Sequence, residues 1–389
     1  MNESPSPQAA APQAAAPHAV ASQAMASHTP SPQAVASMKA LTARFFRRGL
    51  ILALGSGMLY GLFTAFLTLG MASGPWVEWY SDTQTLLSTF MVIYVLGMLG
   101  SGINDLVSAL WMIGKAGVKG KFLELLRCFK SKPGFVMVLC ALIGGPIANG
   151  CYIIALQLAG PMAAPVTALC PAIGAIIARI AFKQQLNARM VCGILICLVA
   201  ALMASSTAFT GFSVDMDFLL GMLFAFIAAL GWGIEGAVAG FGTAVMDYEL
   251  SVSIRQTFSG LLTLVIAVPL LCLVGGSILM APTLTFAALS SPSAMFWFAL
   301  SGLCAGLSFS FWYKGNAMSG TALGMACNGT YAFFVPLFCW LIIGLILGQA
   351  GWTLTALDWA SAIIMVAGIF VIVINPLDLF RKKKEVTHA

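Results

Sequence analysis

Long apolar runs separated by short polar breaks make up most of the chain from residue 50 onward. A helix needs about 20 apolar residues to cross a bilayer, and each run is long enough to form one such helix. The predicted spans are 50–72, 86–113, 134–158, 162–182, 190–209, 218–244, 252–275, 294–314, 321–347 and 356–376. The pattern therefore predicts an all-α polytopic membrane protein with ten transmembrane helices, in which each helix satisfies its own backbone hydrogen bonds.

The composition excludes a soluble class. The chain of 389 residues is 60% hydrophobic and 8% charged, with a mean hydropathy of +0.95. A soluble domain carries about 25% charged residues, which is what keeps its surface in water. The net charge of +6 is spread over short loops and tails instead of one face, so we expect no nucleic-acid partner.

The polar segments predict the orientation of the chain. Residues 1–37 are rich in Ala, Pro, Gln and Ser, which predicts a disordered tail, and residues 377–389 form a basic tail. With ten spans, the loops and tails that carry Lys and Arg all fall on one side. The opposite loops carry no Lys or Arg and hold Glu78, Asp82, Asp215, Asp217 and Asp358. Because basic residues are enriched on the cytoplasmic side, we expect both termini in the cytoplasm and the protein in the cytoplasmic membrane.

Metal, cofactor and disulfide chemistry has little support in the sequence. The three histidines lie in the tails, at His18, His28 and His388. The ten cysteines form no CxxC pair, and nine of them lie in apolar segments, where cysteine usually behaves as a small hydrophobe. We therefore expect no cofactor, no metal site and no disulfide.

The chain carries an internal repeat. Residues 152–160 align with residues 312–320, since in each stretch an aromatic residue precedes a short turn that ends in glycine and another long span follows. Tyr60-Gly61 aligns with Trp232-Gly233 in the same way. The repeats are residues 48–210 and 217–376, with five spans each. An odd number of spans inverts the second half in the membrane, and inverted repeats are typical of secondary transporters with alternating access.

At these residues the chain resembles the drug/metabolite transporter superfamily in its ten-helix, EamA-like form. The best-matching stretch begins at Tyr152, contains Ala164, Ala168 and Pro171, and continues through Gly193 to residue 205. The resemblance extends over residues 48–376 and implies a transporter, with export favoured over import. The chain departs from the family pattern where Gly-Glu is common after a fourth helix and where Lys is common late in a first helix. The residues at those places are Lys183-Gln184, Gly348-Gln349, Thr68 and Gly240.

Glu235 is the first candidate for substrate binding or proton coupling. It lies about 27 Å along the helix from Asp217, at 1.5 Å per residue, and therefore deep in the bilayer. Acidic residues at such depth are costly and functional by default. The resemblance adds that small four-helix relatives use a membrane-embedded Glu in the first helix of the repeat, and Glu235 lies about one turn from the position that matches it. The alternative is a structural ion pair with Arg255 or Lys314.

Asp105 is the second intramembrane acid. Ser101, Asp105 and Ser108 share one face of the second span at helical spacing, which predicts the wall of a pathway. The alternative is an Asp close to the helix end, either solvated or paired with Lys115.

Polar and aromatic stripes on several spans predict a shared hydrated cavity. The residues expected to line it are Tyr60, Asn149, Tyr152, Trp232, Gln256, Ser259, Trp312, Asn328 and Tyr331. Single members of these stripes could instead form hydrogen bonds between helices or fill space. For Arg255 and Lys314, the alternatives to pairing with an acid are snorkelling to the interface and recognition of an anionic substrate.

The sequence therefore predicts a secondary active transporter that exports a small polar or amphipathic metabolite by alternating access, coupled to protons. It has no Walker motif, so the energy would come from a gradient. The expected partners are the small-molecule substrate and the lipid bilayer, and the expected state is a monomer or homodimer. The alternatives are a non-transporting membrane scaffold or a lipid or ligand sensor, with an intramembrane enzyme third.

Overall fold

The computed structural model describes residues 32–81, 87–159, 163–167, 169–183, 187–205, 216–243 and 245–373. Within these ranges the chain is helical and contains no strand. By contacts the chain divides into two units, Met1–Arg44 and Phe45–Ala389. Several predictions fall on residues outside the described ranges, among them those for Asp82, Ala168, Gln184, Asp215, the three histidines and residues 377–389.

Fifteen helices follow one another along the described residues. They are α1 (Pro32–Gly70), α2 (Pro75–Trp79), α3 (Met91–Val118), α4 (Phe122–Phe129), α5 (132–159), α6 (Ala163–Thr167), α7 (Cys170–Phe182), α8 (Ala188–Ser205), α9 (Met216–Gly242), α10 (Tyr248–Val274), α11 (Met280–Leu289), α12 (Pro292–Ser319), α13 (Thr321–Asn328), α14 (331–346) and α15 (Ala356–Val373).

Seven helical stretches are long and apolar enough to cross a membrane. They are Ala36–Gly70, Met91–Val118, Lys132–Ala155, Met216–Ala239, Tyr248–Val274, Pro292–Ser319 and Thr321–Ile346. Four shorter apolar helices accompany them, and three of these, within α7, α8 and α15, coincide with the predicted fourth, fifth and tenth spans. The all-α class of a multi-pass membrane protein is therefore confirmed, whereas the count of ten spans stays a prediction.

The structure also contains helices that the apolar pattern did not predict. Helices α2, α4 and α11 have 5, 8 and 10 residues and lie between predicted spans, so they are too short to register as membrane crossings. Helix α1 begins at Pro32, inside the segment 1–37 that was predicted to be a disordered tail. Proline is well accommodated in the first turn of a helix, and no further proline follows until Pro75.

Close helix packing depends on small residues. Helix α3 packs against α10 and α12, α8 packs against α15, and α9 packs against α5 and α7. At the crossing of α12 with α3, a Cβ on Gly302 would lie 2.8 Å from the backbone of Ser108, so only glycine allows this approach. Small residues have the same role in many membrane helix pairs.

Four of the long helices contain a π-helical segment among the described residues, including α3 over Met91–Leu96 and α14 over Cys339–Ile346. Helix α5 is π-helical over Ile143–Asn149, around Pro146, and α10 is π-helical over Thr263–Ala267. Single π turns are frequent at functional sites, because they break the regular hydrogen-bond ladder and shift the side chains that follow. The segment in α5 carries Gly144 and Gly145, whose role is described below.

Candidate functional site

A cavity of about 900 Å³ lies among the helices of the second unit. Its walls come mainly from α1, α3, α5, α9, α12, α13 and α14, and it extends to the exposed loop residues Gly351 and Thr353. The residues of the predicted set that line it are Asp105, Tyr60, Asn149, Tyr152, Trp232, Trp312, Asn328 and Tyr331. Polar and aromatic side chains from separate predicted spans therefore line one cavity.

The aromatic residues of the wall are arranged in contacting pairs. The ring centroids of Tyr60 and Tyr331 are 4.6 Å apart, and those of Tyr152 and Trp232 are 5.1 Å apart. Trp232 Nε1 donates a hydrogen bond to Asn149 Oδ1 at 2.9 Å, which fixes the indole on the wall. Offset aromatic contacts of this kind add stabilisation beyond the area that they bury.

A network of buried charges lies at one wall of the cavity. The side chain of Arg255 in α10 is fully buried, and its Nε donates to Glu235 Oε1 in α9 at 2.7 Å. The same guanidinium donates from Nη2 to Glu235 Oε2 at 3.3 Å and from Nη1 to Asp105 Oδ2 in α3 at 3.4 Å. Planar, two-pronged pairing of this kind is specific to arginine.

Neutral groups complete the network. Arg255 Nη1 also donates to Gln256 Oε1 at 2.6 Å, and Gln256 Nε2 donates to the Ser108 hydroxyl at 2.9 Å. The Tyr313 hydroxyl donates to Glu235 Oε1 at 2.9 Å, and the guanidinium carbon lies 4.2 Å from the Phe309 ring centroid. On the other side, the Ser259 hydroxyl donates to Asp105 Oδ2.

Glu235 and Asp105 differ in how completely Arg255 neutralises their negative charge. Both oxygens of Glu235 accept bonds from Arg255, and Glu235 is 0% exposed and does not line the cavity. Asp105 lines the cavity, its single bond to Arg255 is long, and no hydrogen bond of the described residues engages its Oδ1. One guanidinium neutralises one carboxylate. The network therefore leaves one carboxyl group in excess, and Asp105 is the one at the cavity.

Two consecutive glycines make room for the Glu235 carboxylate and the Ser259 hydroxyl. A Cβ on Gly144 would collide with the Glu235 carboxylate, and one on Gly145 would collide with Ser259 Oγ. Both glycines lie in the π-helical segment of α5. The absence of side chains there is thus a condition for the network.

Of the alternatives for the charged residues, the ion pair of Glu235 with Arg255 is present, and the others are not. Asp105 pairs with Arg255, not with Lys115, whose Nζ lies 3.0 Å from Glu249. Arg255 is fully buried and does not snorkel to an interface, because two carboxylates hold it inside. Lys314 is not the partner of Glu235. It lies 4.4 Å from the Tyr248 ring centroid and contacts the Tyr248 hydroxyl at 3.2 Å.

The predicted lining residues Gln256 and Ser259 do not line the cavity. They lie behind Asp105 and form hydrogen bonds with the charge network. Other residues were missed by the sequence analysis, among them Phe309 and Tyr313, which contact Arg255 and Glu235. Tyr313 adjoins the predicted residue Trp312, so an aromatic pair facing a buried acid was the signal that could have found it.

A second charged cluster lies where α3 ends and α10 begins. Lys119 Nζ is 2.7 Å from Glu249 Oε2, and Lys121 Nζ is 2.6 Å from Asp247 Oδ2. The Asp247 side chain also accepts the backbone N–H groups of Glu249 and Leu250 and so caps α10. Partial burial raises the pKa of Asp247, but the hydrogen bonds from Lys121 and the two backbone N–H groups outweigh it and hold this pKa below its usual value.

No metal centre is formed by the described part of the chain, which contains no group of three or more His, Cys, Asp or Glu side chains placed to hold an ion. All ten cysteines lie in the described ranges, and each is a free thiol. The side chains that line the cavity carry carboxyl, amide, hydroxyl, thiol and aromatic groups.

Comparisons with known proteins identify the fold but no family. No family model and no curated protein matches the chain. A protein of known crystal structure covers 87% of this chain and 99% of its own length, with a TM-score of 0.59 and 17% sequence identity. At this level of identity the likeness shows a shared fold alone.

Proposed function

We propose that this protein is a proton-coupled secondary transporter that exports a small amphipathic metabolite across the cytoplasmic membrane by alternating access. The observation that carries the proposal is the cavity of about 900 Å³ with Asp105 in its wall, within a set of apolar helices. A cavity of this size accommodates a small molecule. An ionisable residue that faces a cavity among membrane helices is a functional candidate by default.

The contacts favour Asp105 over Glu235 as the group that exchanges the proton. Glu235 is bound on both oxygens by Arg255 and receives a third bond from Tyr313, so it serves to position the guanidinium. Asp105 carries the excess carboxyl group and faces the cavity. In an apolar surrounding that group holds a proton until a cationic group replaces it. Proton release and substrate binding are then two sides of one exchange.

Alternating access is supported by the two ends of the molecule. The cavity extends to residues 351–355, in a loop predicted to lie outside the cell. At the predicted cytoplasmic side, Lys119 and Lys121 bridge the end of α3 to the start of α10. A site open on one side and closed by ion pairs on the other is one state of an alternating-access cycle.

The packing pattern and the family resemblance support the same proposal. In a repeat of five and five spans, α3 is equivalent to α10 and α8 to α15, and both equivalent pairs are in contact. These correspondences agree with the inverted repeat and with the resemblance to the EamA-like drug/metabolite transporters.

The experiment is a proton-flux measurement on purified protein in vesicles that contain a pH-sensitive dye. Pools of amino acids, sugars, nucleosides and organic amines are added under an imposed proton gradient. We expect one pool to move protons through the wild type and not through Asp105→Asn. Asp217→Asn, the same substitution at an exposed position, should behave as the wild type. If no pool moves protons through the wild type, the transporter proposal fails and a scaffold or sensor is favoured.

A further inference from the structure

The cavity wall carries acidic groups but no basic ones. Its ionisable acids are Asp105 in the interior and Asp358 at the mouth, and no Lys, Arg or His of the described residues lines it. Arg255 lies behind Asp105 with a fully buried side chain, and its charge is directed to the two carboxyl groups. An anionic ligand would therefore lose its water without gaining a cation, whereas a cationic ligand finds a carboxylate.

The aromatic side chains of the wall favour a cation with an apolar body. They include the pairs Tyr60 with Tyr331 and Tyr152 with Trp232, and also Trp312. The faces of Trp and Tyr attract cations, and their rings pack against flat apolar groups. Glycans and other strongly polar ligands would leave most of this surface without a suitable partner.

An unpaired carboxyl oxygen defines the hydrogen bond that the ligand would form. Asp105 Oδ1 accepts no hydrogen bond from any described residue, and the Asp105 side chain lines the cavity. Buried polar groups are normally paired, so an unpaired acceptor in the wall of a cavity points to a partner that is a ligand or water. The ligand would donate a hydrogen bond to Asp105.

We propose that the cavity binds a protonated amine that has an aromatic or apolar body. This proposal rests on the proposed function and specifies its substrate class. The ammonium group donates N–H to Asp105 Oδ1, and the proton that the carboxyl group held leaves to solvent. One cation enters for each proton released, so the charge of the network is unchanged. An opposing proton gradient would then drive the amine out of the cell.

The test uses three probes that share a phenylethyl or benzyl body and differ in charge. They are 2-phenylethylamine, 2-phenylethanol and phenylacetate. Binding to the detergent-purified protein is measured by calorimetry in two buffers of different ionisation enthalpy, which reports the protons released. We expect the amine to bind with proton release and the alcohol and the acid not to bind. Trimethyl-phenylethylammonium, which has no N–H donor, should bind more weakly than the amine.

Variants test the role of Asp105. Asp105→Asn should lose both binding and proton release, while Asp217→Asn should retain both. Thermal unfolding of each variant shows whether it is folded. A folded Asp105→Asn that binds the amine as the wild type does would overturn the proposal.

The outcomes distinguish this inference from the function on which it rests. If phenylacetate or phenylethanol binds as tightly as the amine, the substrate class is wrong, although another pool could still move protons in vesicles. If the amine binds and releases protons in detergent but moves none across vesicles, the binding site stands and the transporter proposal fails.

Discussion

Asp105 and Arg255 are 150 positions apart in the sequence, yet Asp105 Oδ2 lies 3.4 Å from Arg255 Nη1 in the apolar interior. Glu235 approaches the same guanidinium from another side, at 2.7 Å from Nε. A buried ion pair is weak evidence for stability, but removal of one partner is strongly destabilising because it leaves an uncompensated charge. The relationship thus joins three helices and places an excess carboxyl group at a cavity.

Removal of the central cation should destabilise the protein. Arg255→Gln leaves the buried Glu235 carboxylate without a counter-charge, and we expect a loss of about 3–5 kcal/mol in the free energy of unfolding. Unfolding in detergent, followed by tryptophan fluorescence or circular dichroism, measures this loss. The control is Arg179→Gln, at an exposed position of α7, which should change stability by less than about 0.5 kcal/mol. Equal stability of the two variants would show that the charge network does not hold the helices.

Glycine at position 144 is expected to be necessary for the network. Gly144→Ala places a methyl group in the space of the Glu235 carboxylate, so it should destabilise the protein by about 1–3 kcal/mol through overpacking. Gly117→Ala is the matched control, because a Cβ at that helical position meets no atom within 4 Å. There alanine should be neutral or stabilising by about 0.5–1 kcal/mol. The melting temperatures of the two variants in the same detergent give the comparison. Similar melting temperatures would contradict the described contact.

The contact between Lys121 and Asp247 predicts a pH dependence. The pKa of Asp247 in the folded protein is below its usual value of about 3.9, so its stabilising effect is complete above that pH. The effect is lost as the pH falls through the folded pKa, because the protonated carboxyl group no longer attracts the lysine. Above about pH 5 the contribution should therefore be constant.

Two substitutions of Asp247 separate its charge from its cap. Asp247→Asn keeps an acceptor for the backbone N–H groups and should cost about 0.5–1 kcal/mol at pH 7, since the pair is partly exposed. Asp247→Ala should cost about 1 kcal/mol more, because the cap is lost as well. Melting curves from pH 7 to pH 3 should show the gap between wild type and Asp247→Asn closing at low pH. A gap that is as large at pH 3 as at pH 7 would exclude the ion pair as its cause.

The predicted orientation is tested by labelling of introduced cysteines. Thr353→Cys lies in the exposed loop at the cavity mouth, and Lys130→Cys lies at the exposed end of α4. In intact cells a membrane-impermeant thiol reagent should modify Thr353→Cys, whereas Lys130→Cys should react only after permeabilisation. The unmodified protein gives the background from the ten native thiols. The reverse pattern would place both basic tails outside and contradict the distribution of Lys and Arg.

The apolar pattern predicted helix at the position of every proposed span. Most of the residues that were predicted to line a cavity do line one. Asn149 and Tyr152 are an example: helical spacing places them on one face of α5, and both line the cavity. Such predictions succeed because hydrophobicity, helix formation and the direction of a side chain on a helix are local properties. The short helices α2, α4 and α11 were missed because, at 5, 8 and 10 residues, they are much shorter than the apolar run of about 20 residues that predicts a membrane span.

The tertiary structure alone decided which charges meet. The sequence offered Arg255 and Lys314 as partners for Glu235 and Lys115 as a partner for Asp105. In the structure Arg255 pairs with both Glu235 and Asp105, and Lys115 pairs with Glu249. These choices depend on how α3, α9 and α10 are rotated and how closely they approach, which is set by glycines such as Gly144 on yet another helix. The sequence by itself determined the helices and the residue types they carry, because those follow from neighbouring residues. Only the packing of distant helices decided which carboxyl group is compensated and which faces the cavity.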